Sequence, residues 1–224
     1  MRWKMLTGSL LIVATVWAGS FASATYIPVQ IENDGLTSVK FNLCENAVRE
    51  ALTWVPVRHL SGLRNVVLHN HTDWHRGLAG DSVIYLRCLD DLAELKSVLI
   101  HEIGHIVDIN LARSNQRLNY FSEISWLNDN LAVADDTGFV SGYAATDAFE
   151  DFAETYAYYL LHGDKFRTLM TASSITKRKY DFMEYSIFAG TEYSLENKTD
   201  PLTSGSNLAR VEFSYDVTRL KYQR

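Results

Sequence analysis

Leu92-Ala93-Glu94-Leu95-Lys96-Ser97-Val98-Leu99-Ile100-His101-Glu102-Ile103-Gly104-His105-Ile106-Val107 is the stretch on which the reading of this chain turns. Leu92, Leu95, Val98, Leu99, Ile103 and Ile106 recur at helical spacing, which predicts an amphipathic helix from Leu92 to about Ala112. Within it, His101-Glu102-Ile103-Gly104-His105 is an HExxH pattern. Histidines four residues apart stand about 40° apart around a helix, so both imidazoles can reach one Zn2+. Glu102, rotated about 100° from His101, can take a proton from a water activated by that ion and is the candidate general base. Gly104 costs about 1 kcal/mol relative to alanine inside a helix, so its presence predicts close approach of another backbone or side chain.

Two histidines leave a catalytic zinc site one protein ligand short. The downstream candidates are Asp108, Glu123, Asp135, Asp136, Asp147, Glu150, Asp151, Glu154 and His162. Asp108 lies one turn beyond His105 and its side chain is too short to reach back to the metal, so it reads as a cap, a solvated carboxylate or a partner of a ligand. A second helix is predicted from Asp147 to Leu161, with Thr146 or Asp147 as cap and Phe149, Phe152, Ala153, Tyr156 and Leu160 as its apolar stripe. Glu150 and Glu154 share one flank of it, so one can bind zinc while the other holds a ligating histidine, although two surface carboxylates would show the same spacing.

Ser141-Gly142-Tyr143-Ala144-Ala145-Thr146, followed by Phe149-Glu150-Asp151-Phe152-Ala153-Glu154, resembles the second zinc motif of the lethal-factor-like metallopeptidases and the related Pro-Pro endopeptidases. Those families are zincins in which a tyrosine, a glutamate seven residues later and another four after that follow the HExxH helix. The resemblance also covers His105 to Asp108 and, faintly, the segment Ser82 to Arg87. It implies one Zn2+ bound by His101, His105 and Glu150, with Tyr143 donating to the oxyanion and Glu154 orienting a ligand. Tyr26 to His59 and the chain after Gly190 show no such match, so substrate selection does not carry over.

Upstream, Asn33-Asp34-Gly35 is a turn signal within a loosely alternating segment, Tyr26 to Leu43, and reads as a hairpin. A helix is expected from Glu45 to about His59, broken near Pro56. Asn65 to His69 and Ser82 to Arg87 read as strands. The order predicts an α+β single domain with a small, mostly antiparallel sheet, and the resemblance implies that it is zincin-like. If an extended substrate adds to the strand before the motif helix, Val83 and Tyr85 are the substrate-binding candidates.

The chain has 224 residues, 47% of them apolar, enough for one substantial core. Arg2 and Lys4, the apolar run Leu10 to Ala18 and Ala22-Ser23-Ala24 follow the order of a secretory signal peptide over residues 1–24, leaving a catalytic domain over 25–224. The run is too short to span a bilayer, so no stable membrane insertion is expected after cleavage. Cleavage removes two of the 21 basic residues against 27 acidic ones, a balance that disfavours nucleic acid as a partner. Periplasmic or secreted, the protein would meet an oxidising compartment, which favours a disulfide between Cys44 and Cys88 over two separate buried thiols.

His69, His71 and His75 with Asp73 form a histidine-rich loop able to bind a second metal, though surface residues are the commoner use of such a cluster. Lys177-Arg178-Lys179 reads as a solvated patch, and Asn197-Lys198-Thr199 fits a glycosylation sequon. Val211 to Val217 alternates like a strand, within a tail over 195–224 that is either strand-forming or flexible. The expected function is an exported zinc metallopeptidase acting on peptides or proteins. The competing readings are a catalytically silent zinc-containing binding module and a hydrolase of non-peptide amides.

Overall fold

The computed structural model describes residues 29–112, 120–133 and 135–190; the leader, the sequon and the alternating tail lie outside them. The chain opens with strand β1 (Gln30–Asp34) and turns at Asn33, whose amide both accepts the Leu36 N–H at 2.8 Å and donates to the Leu36 carbonyl at 3.1 Å. Gly35 supplies the positive φ of 77° there. The turn does not lead back into a hairpin. It leads to Thr37, which caps helix α1 (Ser38–Leu52), so the turn signal is real but opens a helix. Cys44, Ala47, Val48, Ala51 and Leu52 form its buried stripe, and the helix starts seven residues upstream of the expected Glu45 and ends ahead of Pro56.

Strands β2 (Asn65–His69), β3 (Gly77–Ala79) and β4 (Val83–Arg87) follow. The sheet order is β1-β2-β4-β3, with β1 parallel to β2, β2 parallel to β4, and β3 antiparallel to β4. The α+β class holds, but this main sheet is mixed and two of its three pairings are parallel. The reason is α1: a helix between β1 and β2 returns the chain to the same end of the sheet and makes a βαβ unit. β3 lies in a stretch too short and polar to read as a strand. The Cys44–Cys88 disulfide, with Cα atoms 5.8 Å apart, ties α1 to the end of β4.

Helix α2 (Leu92–Val107) carries the motif and continues as one π turn over Asp108–Ala112. Asp91 caps it by accepting from the Ala93 and Glu94 N–H groups at 2.9 and 3.2 Å. It packs on α1, the sheet and helix α3 (Ala148–Leu161), which Asp147 caps at 2.9 Å to both Phe149 N and Glu150 N. A short antiparallel hairpin, β5 (Trp126–Asn128) and β6 (Leu131–Ala132), precedes α3, and the Asp129 carbonyl accepts from Ala148 N at 2.9 Å. Helices α4 (Gly163–Ala172) and α5 (Ser174–Asp181) close the fold. Among the described residues no helix is long and apolar enough to cross a membrane.

Lys179 on α5 is a correction to the solvated patch: its ammonium is wholly buried, 2.8 and 2.7 Å from the two carboxylate oxygens of Asp151. Trp126 Nε1 adds a 2.9 Å bond to Asp151, and the ammonium sits 4.2 Å from the Phe139 ring centroid. The pair thus fastens α5 and the β5 hairpin to α3. Burial pushes the Lys179 ammonium down and the Asp151 carboxyl up, each opposed by its partner.

Candidate metal centre

The crossing of α2 and α3 is set by Gly104. A Cβ there would lie 2.8 Å from Ala153 Cα and 3.1 Å from its carbonyl oxygen, so only glycine lets the two backbones approach. That contact brings the flank of α3 bearing Glu150 and Glu154 against His101 and His105. Six of the nine candidates for a third ligand sort accordingly. Asp147 is a cap, Asp151 is paired with Lys179, Asp135 caps the turn at Thr137, and buried Asp108 and His162 close helix ends. Glu150 is the described candidate that joins the histidines.

His101 Nε2 and His105 Nε2 are 3.2 Å apart, and Glu150 Oε2 lies 3.1 Å from the first and 3.4 Å from the second. Ligands held at about 2.05 Å from a tetrahedral Zn2+ stand about 3.3 Å from one another. The three donors fit such an ion. Glu150 Oε2 is moreover buried, with the two imidazole nitrogens as its neighbours. Burial disfavours charge on His101, but contact with Glu150 and Glu154 outweighs it and pushes the imidazole up to about 10. Surroundings that favour a proton so strongly also favour a divalent cation. Burial likewise opposes charge on Glu150, yet the two imidazoles hold its carboxyl far below the ordinary range.

Around this triangle, His101 Nδ1 meets Glu154 Oε1 at 2.9 Å, and the other Glu154 oxygen accepts from Ser141 Oγ at 2.6 Å. The Tyr143 ring lies 5.9 Å from that of His101, and its hydroxyl contacts Glu150. Burial, then the Glu150 charge, pushes the phenol far above its ordinary value, so it keeps its proton and can donate.

Glu102 is 3% exposed and rests against β3. A Cβ on Gly77 would come within 2.6 Å of Val98 Cγ1 and 2.7 Å of Glu102 Cγ, so the strand can pass the carboxylate only with glycine there. The Ala79 N–H donates to Glu102, while burial raises its carboxyl above the ordinary range against the pull of His101 and His105. A cavity of about 330 Å³ opens over these groups. Its polar wall is His75, His101, Glu102, His105, Tyr143 and Glu150; Leu78, Ile109 and Phe149 supply apolar surface and are 51%, 39% and 38% exposed.

Val83 and Tyr85 do not border this cavity as a free edge. β4 has β2 on one side and β3 on the other, so its main-chain groups are already paired on both sides. The edge facing the cavity belongs to β3. The histidine loop likewise separates: His71 meets Asp34 at 3.3 Å and the buried His69, while His75 lines the cavity. Among the described residues, His101, His105 and Glu150 form the one cluster able to hold a metal. Gly77, Ala79 and Ser141 stand out in the site without having stood out in the sequence. The small-residue run Gly77-Leu78-Ala79-Gly80 is the one signal that could have exposed the first two.

A motif helix and a glutamate-bearing helix that converge on a zinc-sized triangle, beside an open sheet edge, are the makings of a zinc metallopeptidase. The family model described as "Putative zinc-binding metallo-peptidase" matches residues 82–198, just over half of the chain, and the chain belongs to that family. The match spans β4, α2 and α3, and so every residue of the triangle. No curated protein matches the sequence.

Proposed function

We propose that the protein is an exported zinc metalloendopeptidase in which His101, His105 and Glu150 hold one Zn2+ per chain. The observation that carries this is the donor triangle, whose 3.1 to 3.4 Å edges suit a tetrahedral ion. A bound ion would supply Lewis acidity, activating water near neutral pH and polarising a peptide carbonyl. Glu102, held on β3 by the Ala79 N–H, accepts the proton of the attacking water and returns it to the leaving amine. Tyr143 donates its hydroxyl to the oxyanion of the tetrahedral intermediate, and Glu154 keeps His101 turned toward the triangle. The Tyr143, Glu150 and Glu154 spacing supports kinship with the lethal-factor-like and Pro-Pro endopeptidases within the glutamate-ligand zincins.

An extended peptide pairs with the free edge of β3, its side chain beside the scissile bond resting on Leu78, Ile109 and Phe149. The leader over 1–24 and the Cys44–Cys88 disulfide support export to a periplasm or beyond the cell. The test is cleavage of a mixed peptide library by the chain lacking residues 1–24, with zinc quantified and Glu102→Gln as control. Cleavage that vanishes in Glu102→Gln while one zinc per chain remains supports the peptidase. Zinc without cleavage in either protein points to a binding module, and cleavage confined to non-peptide amides to the third class.

A further inference from the structure

Ser141 is placed between two parts of the site that the sequence motifs treat separately. Its hydroxyl donates to Glu154 Oε2 at 2.6 Å, and the same oxygen accepts the Ala144 N–H at 3.0 Å. Glu154 in turn meets His101 Nδ1 through its other oxygen at 2.9 Å. The Ala144 bond closes the turn on which Tyr143 rides, and the Tyr143 carbonyl takes the Thr146 N–H at 3.0 Å to close the next. A hydroxyl has one proton to give and lone pairs to accept with, and here it uses both capacities at once.

We infer that Ser141 is a positioning residue that couples the orientation of His101 to the placement of Tyr143, an assignment that rests on the peptidase reading above. The physical case has two halves. Glu154 is 1% exposed, so the Ser141 O–H is a short, charge-assisted bond in a site with little water to replace it. Without it the carboxylate that sets the His101 ring loses one of its fixed points. The Ser141 to Ala144 bond is the other half. Without it, the three-residue span holding Tyr143 is no longer tied to α3, and a hydroxyl displaced by even about 1 Å is a poor oxyanion donor.

The assignment is tested on the full chain with Ser141→Ala and Ser141→Thr, measuring zinc affinity by competition with a chromophoric chelator and kcat and KM at saturating zinc. Ser141→Ala should raise the zinc Kd about 10- to 100-fold. It should also lower kcat on the order of tenfold at little change in KM, and Ser141→Thr, which keeps the hydroxyl, should restore both. In a Tyr143→Phe background the kcat effect of Ser141→Ala should shrink, since the donor it places is gone. An unchanged Kd and kcat in Ser141→Ala overturns the assignment. A lowered affinity with normal kcat overturns the coupling, and equal damage in Ser141→Thr marks mere packing and overturns it too. A wild type that binds zinc but cleaves no peptide defeats the peptidase reading by itself. The chelator titration then still decides the link to His101, which an unchanged Kd in Ser141→Ala would overturn.

Discussion

Glu154 Oε1 stands 2.9 Å from His101 Nδ1, with both side chains 1% exposed, and this one contact joins two helices across 53 residues of sequence. The carboxylate fixes which ring nitrogen faces the triangle. Glu154→Gln keeps the shape but removes the charge, and it should weaken zinc binding about 10- to 100-fold. Chelator competition measures this directly, and wild-type affinity in the variant would show that Glu154 does not support the ligand.

Gly77 is expected to tolerate no side chain. In Gly77→Ala the new methyl meets Glu102 and Val98 on a helix already packed on both sides, an overpacking that costs about 1 to 3 kcal/mol if the strand stays in place. If instead Glu102 yields, the loss appears in kcat and not in thermal stability. Parallel melting curves and turnover numbers separate the two; a variant normal in both would remove β3 from the positioning of Glu102.

Phe149 and Leu78 are large apolar side chains left open to solvent beside the cluster. Replacing either by alanine should raise KM for peptides with an aliphatic or aromatic residue next to the scissile bond, by about 10-fold for the loss of 1 to 2 kcal/mol of burial. Peptides with small residues there should be nearly indifferent. Equal losses for both peptide sets would assign these residues to stability.

His59 predicts a pH dependence of stability. It is 1% exposed between the Tyr156 hydroxyl at 2.9 Å and the Ile187 carbonyl at 3.0 Å, with Arg58 adjacent. Burial lowers it to about 4, helped by the Arg58 charge and opposed by the Ile187 bond. The unfolded chain takes up a proton below about pH 6.5, whereas the folded chain does so only near pH 4. The contribution is therefore complete above about pH 6.5 and falls away as pH drops to 4, by about 3 kcal/mol at the limit. Denaturant unfolding of wild type and His59→Asn across that range checks it: the wild type should lose stability more steeply, and parallel curves would refute the assignment.

Lys179→Met should destabilise the fold by about 3 to 5 kcal/mol, because it strands the Asp151 carboxylate in the core without its counter-charge. Urea titration reads the loss. The double variant Lys179→Met with Asp151→Leu removes the stranded charge but leaves the Trp126 Nε1–H without its Asp151 acceptor, so it recovers only part of the loss.

What could be read from residue order is what local chemistry fixes. The period of α2, its motif and the Asp147 start of α3 follow from side chains within one or two turns, and β2 and β4 from short β-branched runs. Gly104 announced a close neighbour because a helix interior has no local use for glycine, and Ala153 is that neighbour.

Other features depended on partners far along the chain, and only the tertiary structure decided them. Asn33-Asp34-Gly35 makes the same tight turn whether a strand or a helix follows, so the βαβ unit and its parallel pairing rest on where α1 packs. Strand order made β3, and not β4, the open edge, since a strand's hydrogen-bonding sides carry no side-chain signature. Lys179 is indistinguishable from its basic neighbours until Asp151, 28 residues away, draws it inside. Ser141 likewise gains its meaning from a glutamate one helix away. Helical period and capping are short-range effects written into neighbouring residues, whereas burial of charge, sheet edges and the pairing of polar groups are set by which surfaces meet when the chain closes on itself.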